Sequence, residues 1–250
     1  MSTEYLLVSV AMAVAAGLVG CFAVMRRMAL AADALSHVAL PGIGLALALH
    51  VNSVFGAVAM LFFGALLVWA MERKARVGTE TVIGVLFSVA LAIGSLMTSG
   101  EDLIEALFGG TGALSRVEIA FGLASAIAVT VFIITQRNKL VVILVSPDVA
   151  RTAGIQVRRL NLVYLEMFAL TIALGLRYLG VLLMGALIII PAATAKRLAK
   201  NLTAMLSIAV GAAVLSTLAG TFVAQSLHRG TGPLIVTFAA VLFLLSFVIR

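Results

Sequence analysis

Asp33 and His37 stand four residues apart in "MALAADALSHVALPGIGLALAL", and Pro41 and Gly42 follow one turn later. On a helix, positions i and i+4 share a face. A carboxylate beside an imidazole there suits a divalent transition metal better than an alkali ion. The structural alternative is that Asp33 caps a helix and His37 is a satisfied interface histidine, since polar groups are common at the ends of membrane spans. Ser36 is adjacent in sequence and points elsewhere. Pro41 and Gly42 are expected to break the backbone beside the pair, and irregular backbone is tolerated in a membrane only against protein or a water-lined path. A further carboxylate, Glu166 in "LNLVYLEMFALTIALGL", lies well inside an apolar run. Unpaired, it would cost about 2.5–3.5 kcal/mol on insertion scales, so it is expected to face the bundle interior. Three roles stay open for it: lining a path with Asp33 and His37, standing protonated, or bonding a neighbouring helix.

Other chemistries find no support in the chain. HExxH is absent, as is a GxSG serine site, the nearest string being "IGSLMTSG" (93–100). No GxxxxGK[ST] phosphate loop occurs, so ATP hydrolysis by that route would need another subunit. Cys21 stands alone, can form no intrachain disulfide and reads as a small apolar filler. The ten methionines are scattered, which fits packing better than a thioether ladder for copper. His50 and His228 read as loop histidines, solvated or capturing metal.

The elements that must position these groups follow from composition. Hydrophobic residues make up 63% of the 250, charged residues 11%, and mean hydropathy is +1.23. This is the composition of an all-α integral membrane protein. Neither a linker, a low-complexity tract nor a visible repeat divides it, so residues 1–250 read as a single domain. The net charge of +7 does not indicate nucleic acid, because aromatics are few and the cations lie between apolar runs. The start carries Glu4 as its only early charge and reads as an uncleaved first span.

Apolar runs at roughly 5–25, 34–51, 53–71, 80–98, 117–135, 161–177, 178–195, 202–226 and 232–249 predict nine spans. Eight is the alternative, because the second run is short and holds Pro41, Gly42 and Gly44. With the N-terminus outside and the C-terminus inside, the cytoplasmic cations are Arg26, Arg27, Arg73, Lys74, Arg76, Arg137, Lys139, Arg151, Arg158, Arg159, Lys196, Arg197, Lys200 and Arg250. Of the 17 Lys and Arg, that leaves only Arg116, Arg177 and Arg229 outside, which is the asymmetry of the positive-inside rule. An odd number of spans also weakens a transporter built of two equal inverted halves.

The longest cytoplasmic loop is "VSPDVARTAGIQVRRLN" (145–161). Ser146 is a good N-cap, Pro147 suits the first helical position, Asp148 complements the positive helix end, and Gly154 can close the helix in a left-handed conformation. The expected short helix either joins two spans and anchors to anionic lipid through its arginines, or docks a cytoplasmic partner. Pro191 in "ALIIIPAATAKR" removes a backbone donor in mid-span. It marks a gating kink, or a packed kink closed off by Ala192, Ala193 and Thr194. Small residues recur in "GAAVLSTLAG" (211–220), where they permit close helix approach.

Four stretches together resemble the permease subunits of ATP-binding-cassette importers for zinc, manganese or iron(II): "RRMALAADALSHVALPGIGLA" (26–46), "TETVIGVLFSVALAIG" (79–94), "SPDVARTAG" (146–154) and "GVLLMGALIIIPAATAKRLA" (180–199). The resemblance implies a type II importer-like fold in the cell membrane of a prokaryote. It implies a homodimer with a central path, each copy docked on one ATPase subunit and served by an extracytoplasmic metal-binding protein. No tightly bound cofactor is expected, and ATP acts through the partner. It also makes 146–154 the coupling helix, with Ser146, Pro147, Asp148, Ala150, Arg151 and Gly154 as the docking residues. It favours Asp33 and His37 as transient metal contacts; Glu166 is a further candidate from its place inside a span, and Pro41, Gly42 and Pro191 are kink or gating positions from their residue types, the resemblance placing "PAATA" among recurrent segments without giving it a role. The chain departs from the family at "LFGGTGALS", where Gly110 replaces a polar or acidic residue, although Glu101, Asp102 and Glu105 precede it. It departs again at "HRGTGPLIV" (228–236), where an acidic-Pro-Gly order is usual. A stand-alone carrier driven by an ion gradient, with Glu166 coupling protons, is the alternative function; a non-transporting scaffold is a third.

Overall fold

The computed structural model describes residues 3–51, 53–72, 79–97, 115–179, 181–227 and 230–248. Ten helices and no strand occur among these residues. They are α1 (Thr3–Met25), α2 (Ala29–Ala48), α3 (Ser53–Glu72), α4 (Thr79–Met97), α5 (Arg116–Val145), the short α6 (Pro147–Thr152), α7 (Val157–Leu179), α8 (Val181–Leu198), α9 (Leu202–Leu227) and α10 (Thr231–Val248). Each expected apolar run lies on one of the nine long helices. By length and composition, seven of these among the described residues can cross a membrane: α1 to α5, α9 and α10. The outer segment with Glu101, Asp102, Glu105 and Gly110 lies outside the described residues, as do His228 and the cations Arg73, Lys74 and Arg76.

Two boundaries differ from the sequence expectation. The fifth apolar run ends near 135, yet α5 continues to Val145 through Gln136, Arg137, Asn138 and Lys139. Long unbranched polar side chains favour a helix nearly as much as leucine does. Polarity therefore decides where the helix leaves the bilayer rather than where it ends. Thirty residues at 1.5 Å each give about 45 Å, well beyond a hydrocarbon core of about 30 Å. The other difference is at Pro41 and Gly42. The expected backbone break is not there, because α2 runs unbroken through both. Proline removes one helical hydrogen bond, and that loss is accommodated here by tight packing on both sides.

Gly42 and Gly56 supply that packing where α2 crosses α3. A Cβ on either would fall on the carbonyl oxygen of the other, so only glycine permits this approach. On its other flank α2 touches α4 and α8. A Cβ on Gly185 of α8 would stand 3.2 Å from the Cα of Asp33, so backbone meets backbone beneath the aspartate. α1 is the most enclosed of the spanning helices and touches α2, α5, α7, α8 and α9. Its buried Ala13, Ala15, Ala16 and Ala23 present a small-residue surface to these neighbours. The molecule is thus an α1-centred bundle with α2, α3 and α4 as a flanking group.

Candidate metal path and docking helix

The residues of α2 divide sharply by face. Ala31, Ala32, Leu35, Ser36, Val38, Ala39 and Leu40 are buried, while Asp33 is exposed and His37 half-buried. Ser36 turns inward and donates its hydroxyl to the Ala32 carbonyl at 2.6 Å, which takes it off the Asp33 face as expected. The His37 imidazole meets Phe87 of α4 edge-on, with ring centroids 5.3 Å apart and planes at 65°. Its Nδ1 is buried and makes no hydrogen bond. Four residues on, Pro41 has no N–H to give to the His37 carbonyl. One short piece of α2 therefore concentrates a carboxylate, an imidazole nitrogen and an underused carbonyl oxygen.

Glu166 lies on α7, which packs against α1, α2, α3, α5 and α8. It is half-buried, and its Oε2 is buried without a hydrogen bond. Asp33 and His37 share one helix and Glu166 belongs to another. Among the described residues, no three His, Cys, Asp or Glu side chains gather into a group able to hold a metal ion. His50 is exposed and closes α2 in the left-handed region at φ 55°. Cys21 is buried, with its Sγ 3.6 Å from the Met205 carbonyl oxygen. Pro191 is buried inside an unbroken α8, with Thr194 donating to the Ile190 carbonyl at 2.9 Å.

The 146–154 segment forms its short helix between α5 and α7. Ser146 ends α5 and caps α6 at once, accepting a hydrogen bond from the Val149 N–H at 3.3 Å. Pro147 opens α6, and Asp148 pairs with Arg151 at 2.8 Å. That pair is highly exposed, so it adds little stability. Gly154 sits at φ 76°, and the Ile155 N–H reaches back to the Ala150 carbonyl at 2.9 Å, a closure in which a left-handed residue satisfies the last carbonyls. Ala150 is fully buried, whereas Val145 and Val149 are 81% and 58% exposed. Two apolar side chains thus stand exposed where α5 gives way to α6.

Sequence reasoning did not find what holds α6 and α7 to the bundle. Arg26, at the end of α1, donates to the Asn161 side-chain oxygen at 3.0 Å and lies 4.2 Å above the Tyr164 ring. The fully buried Tyr164 donates its hydroxyl to the Val19 carbonyl at 3.3 Å. A matching anchor joins α3: the Arg158 guanidinium stacks 4.4 Å from the Trp69 ring centroid, and Trp69 Nε1 donates to the Arg158 carbonyl at 3.1 Å. Arg26 and Arg158 served as topology signals in the sequence. Their partners lie 135 and 89 residues away along the chain, so no local spacing could announce them.

Comparison with known proteins gives a consistent picture. Residues 2–250 match the ABC 3 transport family. The chain is 30% identical over 248 residues to the manganese import system permease protein ScaB of Streptococcus parasanguinis, covering 98% of this chain and 89% of that protein. It is 32% identical over 234 residues to the high-affinity zinc uptake system membrane protein ZnuB of Haemophilus influenzae, covering 91% and 89%. The solved structure of PsaBC from Streptococcus pneumoniae in complex with Fab superimposes with a TM-score of 0.84 at 27% identity, covering 98% of this chain and 90% of that one.

Proposed function

Because the chain belongs to the ABC 3 transport family, we propose that it is the membrane permease subunit of an importer that carries a divalent transition metal, zinc, manganese or iron(II), into the cytoplasm. The observation that carries this reading is the family match along nearly the whole chain. ATP hydrolysis belongs to a separate ATPase subunit. The permease is a multi-pass protein of a prokaryotic plasma membrane, with residues 1–250 acting as one transmembrane domain. All nine long helices span, the N-terminus outside and α6 on the cytoplasmic side, in keeping with the distribution of Lys and Arg.

The working unit is a homodimer with its path at the shared axis. Asp33, exposed on the single chain, supports this arrangement: an ionised carboxylate avoids lipid and faces water, protein or an ion. The metal, delivered by an extracytoplasmic binding protein, passes Asp33 and His37, with Glu166 contributing along the way. ATP-driven closure of the two ATPases moves both α6 helices, seated by Ser146, Pro147, Asp148, Ala150, Arg151 and Gly154. The path then switches between outward and inward openings as a rigid-body change. Pro191, which removes a backbone donor in mid-helix, is the position where α8 yields.

Affinity isolation of the tagged chain from gently solubilised native membranes tests the reading. An ATPase subunit should accompany the wild type and be lost with an Asp148→Arg, Gly154→Pro double variant. Absence of any ATPase, under conditions that keep other transporter complexes whole, would sink it, and metal uptake would then be tested against a proton gradient.

A further inference from the structure

A cleft of about 530 Å³ lies between the end of α5 and the start of α7. Its walls are two antiparallel faces with the same gradient. On α5, Phe132, Gln136 and Lys139 follow one another at helical spacing; on α7, Val163, Leu160 and Arg159 run the opposite way. Apolar side chains thus line one end and two cations the other, where Gly154 helps to form the floor. Lys139 and Arg159 are both exposed. Among the described residues, neither Lys139 nor Arg159 forms an ion pair with a carboxylate.

The depth of the cleft suits one class of ligand. Measured from Arg116 at 1.5 Å per residue, Phe132 lies about 24 Å along α5 and Lys139 about 35 Å. A hydrocarbon core of about 30 Å ends between them. Basic pockets between helices at the cytoplasmic boundary favour anionic headgroups, and each Lys or Arg near that surface adds to the attraction. Val145 and Val149, the exposed apolar side chains on either side of the start of α6, are not part of the cleft; of the proposed docking residues, Gly154 alone also lines it.

We propose that the cleft binds one anionic phospholipid, its phosphate held by Lys139 and Arg159 and its first acyl carbons against Phe132 and Val163. This rests on the reading above that α6 lies at the cytoplasmic face. The occupant touches the closing turn of the docking helix through Gly154, so membrane composition would bear directly on α6.

The test is native mass spectrometry of the tagged chain with the subunits that accompany it, released from nanodiscs of phosphatidylcholine mixed with phosphatidylglycerol. One phosphatidylglycerol per chain should be retained. A Lys139→Ala, Arg159→Ala variant should retain it at least about tenfold more weakly, the effect of two cations lost near the headgroup. Lys200→Ala, which removes an exposed cation elsewhere, should behave as wild type. If the double variant does not fold, Arg159→Gln alone serves, with a smaller expected loss. Equal retention of phosphatidylcholine, equal loss in Lys200→Ala, or full displacement of the lipid by inorganic phosphate overturns the proposal. The same spectra report the ATPase independently: lipid retained without an ATPase would count against the importer reading and leave the lipid site standing.

Discussion

His37 carries the most weight in the proposed path. Its Nδ1 is buried without a hydrogen bond, an arrangement that normally costs stability, and its ring is held by Phe87. A metal in transit would use that nitrogen. Asp33→Ala and His37→Ala should each lower metal uptake by about tenfold or more, equivalent to about 1.4 kcal/mol, while the ATPase still co-purifies. Uptake of radioactive manganese or zinc into vesicles is the measurement; unchanged uptake in both would remove α2 from the path. Glu166→Gln keeps the side-chain shape and removes the charge. If Glu166 lines the path, uptake falls while the thermal unfolding midpoint stays in place; an unchanged rate would leave Glu166 a packing residue. Asp33, His37 and Glu166 were all legible in the sequence, because ionisable groups stand out in apolar runs. Phe87 was not, since one phenylalanine among thirteen carries no mark of its neighbour.

The elements are tuned by a few backbone positions. Arg27 closes α1 at φ 61°, with the Met28 N–H bonded to the Ala23 carbonyl at 2.8 Å. Glycine would take that conformation at lower cost, so Arg27→Gly should stabilise the turn by about 1 kcal/mol, read as a raised unfolding midpoint. The α2–α3 crossing responds in the other direction. Gly42→Val forces side-chain carbon onto the Gly56 carbonyl and should cost about 1–3 kcal/mol or more, lowering the midpoint in detergent. At α6, Ser146→Ala removes the shared cap and costs about 1 kcal/mol. Because α6 is only six residues long, the expected readout is weaker retention of the ATPase rather than global unfolding. Ser146, Pro147 and Gly154 announced this helix because caps act locally. Continuation of α2 through Pro41 could not be read that way, because it depends on Gly56 and on the neighbours that brace it.

At the scale of the molecule, one chain exposes Asp33 where α2 meets α8. In the proposed homodimer this surface would face its copy. Cys21 is the only native cysteine and is buried, so an Asp33→Cys, Cys21→Ala variant offers a single reactive thiol. A short bismaleimide should then yield a species of twice the 26.0 kDa chain mass in membranes. A cross-link to a different permease chain instead would show that the working pair is mixed.

Composition, apolar runs and local capping signals determined on their own that this is an all-helical membrane protein with a short capped helix at 146–154, and family motifs added its transport class. These features depend on residues close together along the chain, where periodicity and hydropathy act. Only the tertiary structure decided that α5 carries on past the apolar run, that α2 stays whole at Pro41, and that Arg26 and Arg158 anchor α7 to Tyr164 and Trp69. It also decided that Lys139 and Arg159 face one cleft. Each of these rests on surfaces brought together from distant segments, and the energy of such contacts leaves no period in the sequence.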